Sequence, residues 1–257
     1  MPVRAIATDL SRRSWQAVPI GVPGVGRRRA GGVFTLLGLS VLSALTWPGR
    51  AAAQERRSDV QVWTSISGTA ALGRDAEVRV DGLLQLADDA SRDGRELARV
   101  VLLARLDDRV KLGGGYVWTR IAPVAGVQFV EHRAVQEVDF RSPIWRDRIV
   151  LSLRWQMEER RRQGLGGTSL RWRQLTRLEF PVGRKVRAVV WDEYFHELQE
   201  TEWSGRAGPS LMLNFVGVHL PVTRTIAIEP GYLNQTQFDR GPNRVRHAAA
   251  LFATVRF

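Results

Sequence analysis

Residues 147–160 read DRIVLSLRWQMEER, and their spacing decides the fold. Ile149, Leu151, Leu153, Trp155 and Met157 fall on one side of a two-residue period. Arg148, Ser152, Arg154, Gln156, Glu158 and Arg160 fall on the other. A helix would scatter both sets around its circumference, whereas an extended strand sends alternate side chains to opposite faces. The same alternation runs outward in both directions. Residues 97–106 set Ala98, Val100, Leu102, Ala104 and Leu106 against Arg99 and Arg105; residues 76–86 set Val78, Val80, Leu84 and Leu86 against Glu77, Arg79, Asp81 and Gln85. The last stretch sets Ala249, Leu251, Ala253, Val255 and Phe257 against Arg246, Thr254 and Arg256.

Strands are expected near 58–67, 75–87, 96–107, 109–120, 131–139, 147–161, 168–181, 185–197, 206–220, 223–236 and 245–257, with no helix signature between them. Most reach the roughly 9–11 residues that cross a bilayer at a tilt. Tight turns at Asp107-Asp108, Pro181-Val182-Gly183 and Pro221-Val222 alternate with longer polar loops such as 88–95, 162–167 and 198–205. Short turns on one rim and long loops on the other belong to outer-membrane barrels. Eleven segments can be counted, but bacterial single-chain barrels carry an even number. The expectation is therefore an all-β, antiparallel transmembrane β-barrel of ten or twelve strands. A strand hidden within 120–130, or one segment outside the wall, would restore parity.

Alternation alone does not say which face is outside; a soluble barrel would turn its aliphatic face inward. Strand length, the apolar closing strand and aromatics near strand ends (Trp63, Trp118, Trp172, Phe180 and Phe195) favour the membrane arrangement, since such rings form girdles at membrane–water interfaces.

The first 53 residues read as an address. Arg27–Arg29 precede the apolar run 33–47 (VFTLLGLSVLSALTW), and Ala51-Ala52-Ala53 follow Pro48, the pattern of a cleaved secretory signal ending before Gln54. The run is shorter than the ~20 residues a spanning helix needs. Residues 54–257 then form one domain. A net charge of +12 is in the range of nucleic-acid-binding proteins, but the leader holds seven arginines against Asp9 alone, and so carries half of the excess. Later arginines alternate with apolar residues and do not gather into a patch, so no nucleic-acid partner is expected. With no cysteine, a disulfide framework and a thiolate metal site are both ruled out.

Five stretches carry a family resemblance: Glu131-His132-Arg133…Gln136; Leu153-Arg154-Trp155-Gln156…Glu158…Arg160; Leu170-Arg171-Trp172-Arg173; Trp191-Asp192-Glu193-Tyr194-Phe195; and Glu229-Pro230-Gly231-Tyr232, ahead of a closing strand after His247. Together they resemble the bacterial family catalogued as domain of unknown function 2490, over roughly residues 57–257. The resemblance implies an outer-membrane-type barrel and supplies no catalytic residue.

In that orientation the polar faces enclose a lumen lined by Arg99, Arg105, Arg148, Arg154, Glu158, Arg171, Arg173, Arg177, Glu179, Glu193 and Glu229, joined by Arg79, Arg187, Glu77 and Asp81. Two readings follow. A water-filled lumen of arginines would select small anionic solutes; a packed interior would lock Arg154 among Glu158 and Glu179 and conduct nothing. Leu97, Leu103, Trp191 and Phe252 point inward and would narrow any passage. A lipid or lipopolysaccharide hydrolase is the alternative from another class, but a nucleophile such as Ser210 has only distant histidines, His219 or His247, to activate it. Glu193-x-x-His196 has metal-ligand spacing on a helix, and on a strand the two point apart. Gly113-Gly114-Gly115 lacks the Lys-Ser/Thr of a phosphate loop and marks a close backbone approach. No catalytic group, cofactor or metal is expected. The expected partners are outer-membrane lipid and lipopolysaccharide, and the barrel-assembly machinery, with Phe257 as the assembly signal.

Overall fold

Every strand pairs with its neighbour in sequence, and the last pairs with the first. The computed structural model describes residues 60–123, 126–146, 148–238 and 242–257; the expected leader and its cleavage site lie outside the described residues. The elements are β1 (Val60–Ala71), β2 (Ala76–Ala87), β3 (Arg92–Arg105), β4 (Val110–Ile121), β5 (Phe129–Ile144), β6 (Ile149–Arg162), β7 (Ser169–Pro181), β8 (Arg187–Glu197), β9 (Gly208–Pro221), β10 (Ile226–Gln237) and β11 (Arg244–Arg256). They form one closed barrel in simple up-and-down order.

Among the described residues the barrel has eleven strands, not ten or twelve. An up-and-down path with an odd number of strands brings the first and last side by side in the same direction. β1 and β11 accordingly close the barrel as a parallel ladder, from Val60↔His247 to Thr69↔Arg256, while all other pairs are antiparallel. Among the described residues of 120–130 there is no twelfth strand; β5 starts at Phe129 and runs to Ile144.

Connections 72–75, 106–109, 145–148, 182–186 and 222–225 share one rim, the turn rim; 88–91, 122–128, 163–168, 198–207 and 238–243 share the other, the loop rim. On the turn rim, Asp107 accepts the N–H groups of Arg109 (2.7 Å) and Val110 (2.8 Å), a local turn lock. Those two bonds, Arg109's first, hold its carboxyl below the ordinary range. On the loop rim, 88–91 is shorter than the expected 88–95 because β3 begins at Arg92, and the reversal places Asp88, Asp89 and Ala90 in left-handed backbone.

The interior has an apolar half and a charged half. Trp63, Val189, Phe195, Leu213, Phe215 and Leu233 pack as one cluster, with Trp191 and Phe252 against it. Trp191 stacks on Phe215 at 5.2 Å between ring centroids, and Phe252 meets Phe215 at 5.3 Å. Each such buried side chain contributes roughly 1.5–3 kcal/mol from burial alone. Inward-facing glycines make room: a Cβ on Gly231 would lie 2.4 Å from the Phe215 ring and 2.5 Å from the Val216 carbonyl. A second cluster joins Val101, Leu103, Val117 and Val135, with Leu97 against it. A Cβ on Gly115 would lie 2.1 Å from the Val100 carbonyl oxygen, so the glycine run serves close approach.

Candidate functional site

The remaining interior is ionic, and strand parity determines its membership. On the inward parity of β6, Gln156, Glu158 and Arg160 are buried, with Met157, Glu159 and Arg161 outside and exposed; Leu153, on the outward parity, is also buried. On β5 the inward set is Glu131, Arg133, Val135, Glu137 and Asp139; on β7 it includes Ser169, Arg171, Arg173, Arg177 and Glu179.

Toward the loop rim, alternating charges form an unbroken chain. Arg173 donates to Glu193 (2.6 Å) and to Glu158 (2.5 Å); Arg171 donates to the other oxygen of Glu158 (2.9 Å). Arg171 also lies 3.6 Å from Glu197. Arg160 bridges Glu197 (2.8 Å) and Glu131 (3.0 Å), and Arg133 completes the run on Glu131 (3.0 Å). Four carboxylates and four guanidiniums balance along this chain, which suits a low-dielectric interior where an unpaired charge is costly. Glu158, at its centre, is 0% exposed.

Two further arginines face the same region. Arg162 stacks over Phe129 (3.6 Å to the centroid) and toward Trp203 (5.1 Å), and touches Glu131 only at 3.4 Å. Arg95 lies within electrostatic reach of Arg160, Arg171, Arg173 and Glu131, and among the described residues no carboxylate is within ion-pair distance of it. Trp203, from the loop after β8, is 8% exposed and donates its indole N–H to the Gly166 carbonyl (3.0 Å), joining two loops across this end.

Toward the turn rim the charges form separate groups. Arg79 binds Glu137 and Asp139, Arg99 binds Asp81 at 2.6 Å, Arg154 binds Asp139 at 2.9 Å, and Lys111 binds Glu77 at 2.7 Å. Glu179 meets Arg141, Arg177 and Arg187; Glu229 meets Arg177 (2.6 Å) and His219 (2.7 Å).

Of the residues expected in the interior, Arg99, Arg154, Glu158, Arg171, Arg173, Arg177, Glu179, Glu193 and Glu229 are there. Arg148 is not: β6 begins at Ile149, leaving Arg148 exposed in the turn. Arg105 ends β3 at the turn rim and is exposed. Arg154 is bound to Asp139, apart from Glu158 and Glu179. Trp63 and Phe195 are buried inside and not in an outer girdle, because both sit on the inward parity of their strands. Trp63 donates its indole N–H to Gln61. Sequence reasoning missed Glu131, Arg133, Arg160, Glu197 and Arg95. Their parity was readable, but a link such as Arg160–Glu197 joins β6 to β8, which are not neighbours in sequence, and the spacing within one strand does not give such a partner.

Outward, Ile66, Val80, Val100, Leu102, Val190, Val216 and Leu251 are exposed. Near the loop rim this face carries Trp118 and Trp172 and three tyrosine–histidine pairs, Tyr116–His132, Tyr194–His196 and Tyr232–His247. Near the turn rim it carries Phe140, Phe180 and Phe257. Phe257 donates its N–H to the Thr69 carbonyl, extending the seam. One polar row interrupts this surface, through Thr176, Asp192, Asn214, Asn234 and His247 on adjacent strands. Ser210 donates to the Phe195 carbonyl and His219 binds Glu229 near the opposite rim, roughly 30 Å along β9 at ~3.3 Å per residue. Glu193 faces in and His196 out, so they share no site.

An uncharacterized protein of Methylorubrum extorquens is 26% identical over 191 residues, covering 73% of this chain and 83% of that one. Among solved structures, the anion-selective porin from Comamonas acidovorans superposes with a TM-score of 0.36 at 9% identity, over 68% of this chain and 55% of that chain. The siderophore receptor PirA from Pseudomonas aeruginosa gives a TM-score of 0.26 at 12% identity, over 67% and 36%. The chain thus spans about half of the porin's length and about a third of the receptor's. The family model described as protein of unknown function (DUF2490) matches residues 60–246, and the chain belongs to that family.

Proposed function

We propose that this protein is an outer-membrane barrel whose interior is closed: a structural or ligand-holding membrane protein, and not a diffusion pore. The observation that carries the reading is inverted burial. Inward-facing Val101, Val189, Leu233 and Glu158 are all 0% exposed, while outward Ile66, Val80, Leu102 and Val216 are more than half exposed. A water-filled lumen would leave the inward set accessible. At the turn rim, the cleft among Glu77, Leu103, Arg105 and Lys111 has a volume of about 10 Å³, close to one water, and a second one of about 150 Å³ lies among His219, Thr223, Arg224 and Arg256 beside the turn after β9.

The outer face supports the membrane half of the reading. Trp172 and Phe180 lie eight residues apart on the outer parity of β7. That is about 26 Å along the strand, or roughly 20 Å of height at a ~40° tilt, close to the apolar band of such barrels. The polar row around Asp192 is the exception, and cross-strand neighbours Thr176 and Asn214 give its carboxylate company at that depth. On this reading the segment ending at Ala53 is the export signal, and Phe257 guides assembly. Nothing in the geometry favours the hydrolase alternative: Ser210 spends its hydroxyl on the Phe195 carbonyl, and His219, bound to Glu229, lies near the opposite rim.

Planar-bilayer recording on protein whose insertion has been verified by vesicle flotation tests closure. The expected result is a flat baseline. Stepwise ohmic currents would establish a pore.

A further inference from the structure

The loop-side interior holds two more positive charges than its ion chain accounts for. Eight members of that chain alternate and balance; Arg95 and Arg162 are left over. Both have a buried Nε that lacks a hydrogen-bond partner among the described residues. Arg95 and Phe129 flank Ile121 in one register row, so their backbones are two strands, roughly 10 Å, apart. The guanidinium carbon of Arg162 lies 3.6 Å from the Phe129 ring centroid, which brings its charge toward the same end of the interior. The apolar face of Arg162 is thus occupied by an aromatic ring, while its Nε–H remains unspent. Trp203 covers the region from the loop rim.

We propose that Arg95 and Arg162 form a site for a small anion bearing a phosphate or carboxylate group, entering from the loop rim beneath Trp203. Guanidinium forks match the geometry of both groups. An anion would give Arg95 the ion pair it lacks, add to the single long contact of Arg162 with Glu131, and take up the two orphan donors. The inference rests on the closed interior proposed above and not on membrane placement. If bilayer recordings reveal a pore, the anion titration below still reads out separately.

The test is thermal unfolding of the full chain in zwitterionic micelles at low ionic strength, followed by circular dichroism. Inorganic phosphate at about 10 mM should raise the midpoint by about 3–5 °C above sodium chloride of matched ionic strength, if its dissociation constant is about 1 mM. Arg95→Gln should match or exceed the wild-type midpoint in anion-free buffer, because relieving like-charge repulsion outweighs a contact the protein does not make. It should also lose the phosphate increment. Arg161→Gln, an outward arginine, should keep that increment. Lysophosphatidylglycerol, added in place of phosphate, distinguishes a lipid headgroup from a soluble anion; stabilisation by either that disappears in Arg95→Gln supports the site. Equal effects of phosphate and chloride without a lipid response, or an unchanged increment in Arg95→Gln, would overturn it. So would failure of Arg95→Gln to fold, since a side chain with no protein partner is dispensable.

Discussion

Glu158→Leu should be the most damaging single change inside the barrel, costing on the order of 3–5 kcal/mol. Glu158 is fully buried and receives Arg171 and Arg173, with Arg133 3.9 Å away. Removing the carboxylate leaves these guanidiniums facing one another in a region with little water to screen them. Cost on that scale removes much of a typical domain's margin. Urea titration of the refolded protein, with native-gel mobility as a second reading, measures it. Arg154→Glu should be milder: Arg154 sits in the turn-side group, where Asp139 keeps Arg79 as a partner. A Glu158→Leu protein as stable as wild type would mean that water reaches the chain of charges.

Much of this was legible in the sequence. Period-two spacing predicted the strands, their faces and the inward bulk of Leu97, Leu103, Trp191 and Phe252. The errors came from letting a general expectation override the local pattern. Eleven segments were countable, and the preference for even numbers displaced that count; a parallel β1–β11 ladder satisfies the edges that parity seemed to leave open. Trp63 shares a face with Gln61, and Phe195 shares one with Glu193, so alternation already placed both rings inside; proximity to strand ends suggested girdles. The ion chain was not legible. Arg160–Glu197 spans β6 to β8, and in the turn-side groups Arg79–Glu137 spans β2 to β5, contacts between strands that are not neighbours in sequence.

On the outer wall, Leu251→Arg should cost about 2–4 kcal/mol and lower the amount of assembled protein, with the loss falling toward zero for arginines placed near either rim. Leu251 lies mid-strand on β11 and is 46% exposed. In water, adding a charge at such a position is nearly neutral; in hydrocarbon it is not. Refolding yield into vesicles, compared with yield in micelles, reads the difference. Equal stability for arginine at Leu251 and at the rim residue Ile226 would place this face in water.

A nitroxide accessibility scan of β6 tests closure and membrane placement together. The chain has no cysteine, so single Cys substitutions from 150 to 161 label without background. Measured in vesicles, labels replacing Leu151, Trp155 and Met157 should collide with lipid-soluble oxygen and not with an aqueous nickel chelate. Labels replacing Gln156, and Arg154 beside it, should be shielded from both. Nickel access at the inward positions would contradict the closed interior, and nickel access at the outward ones would contradict the membrane barrel itself.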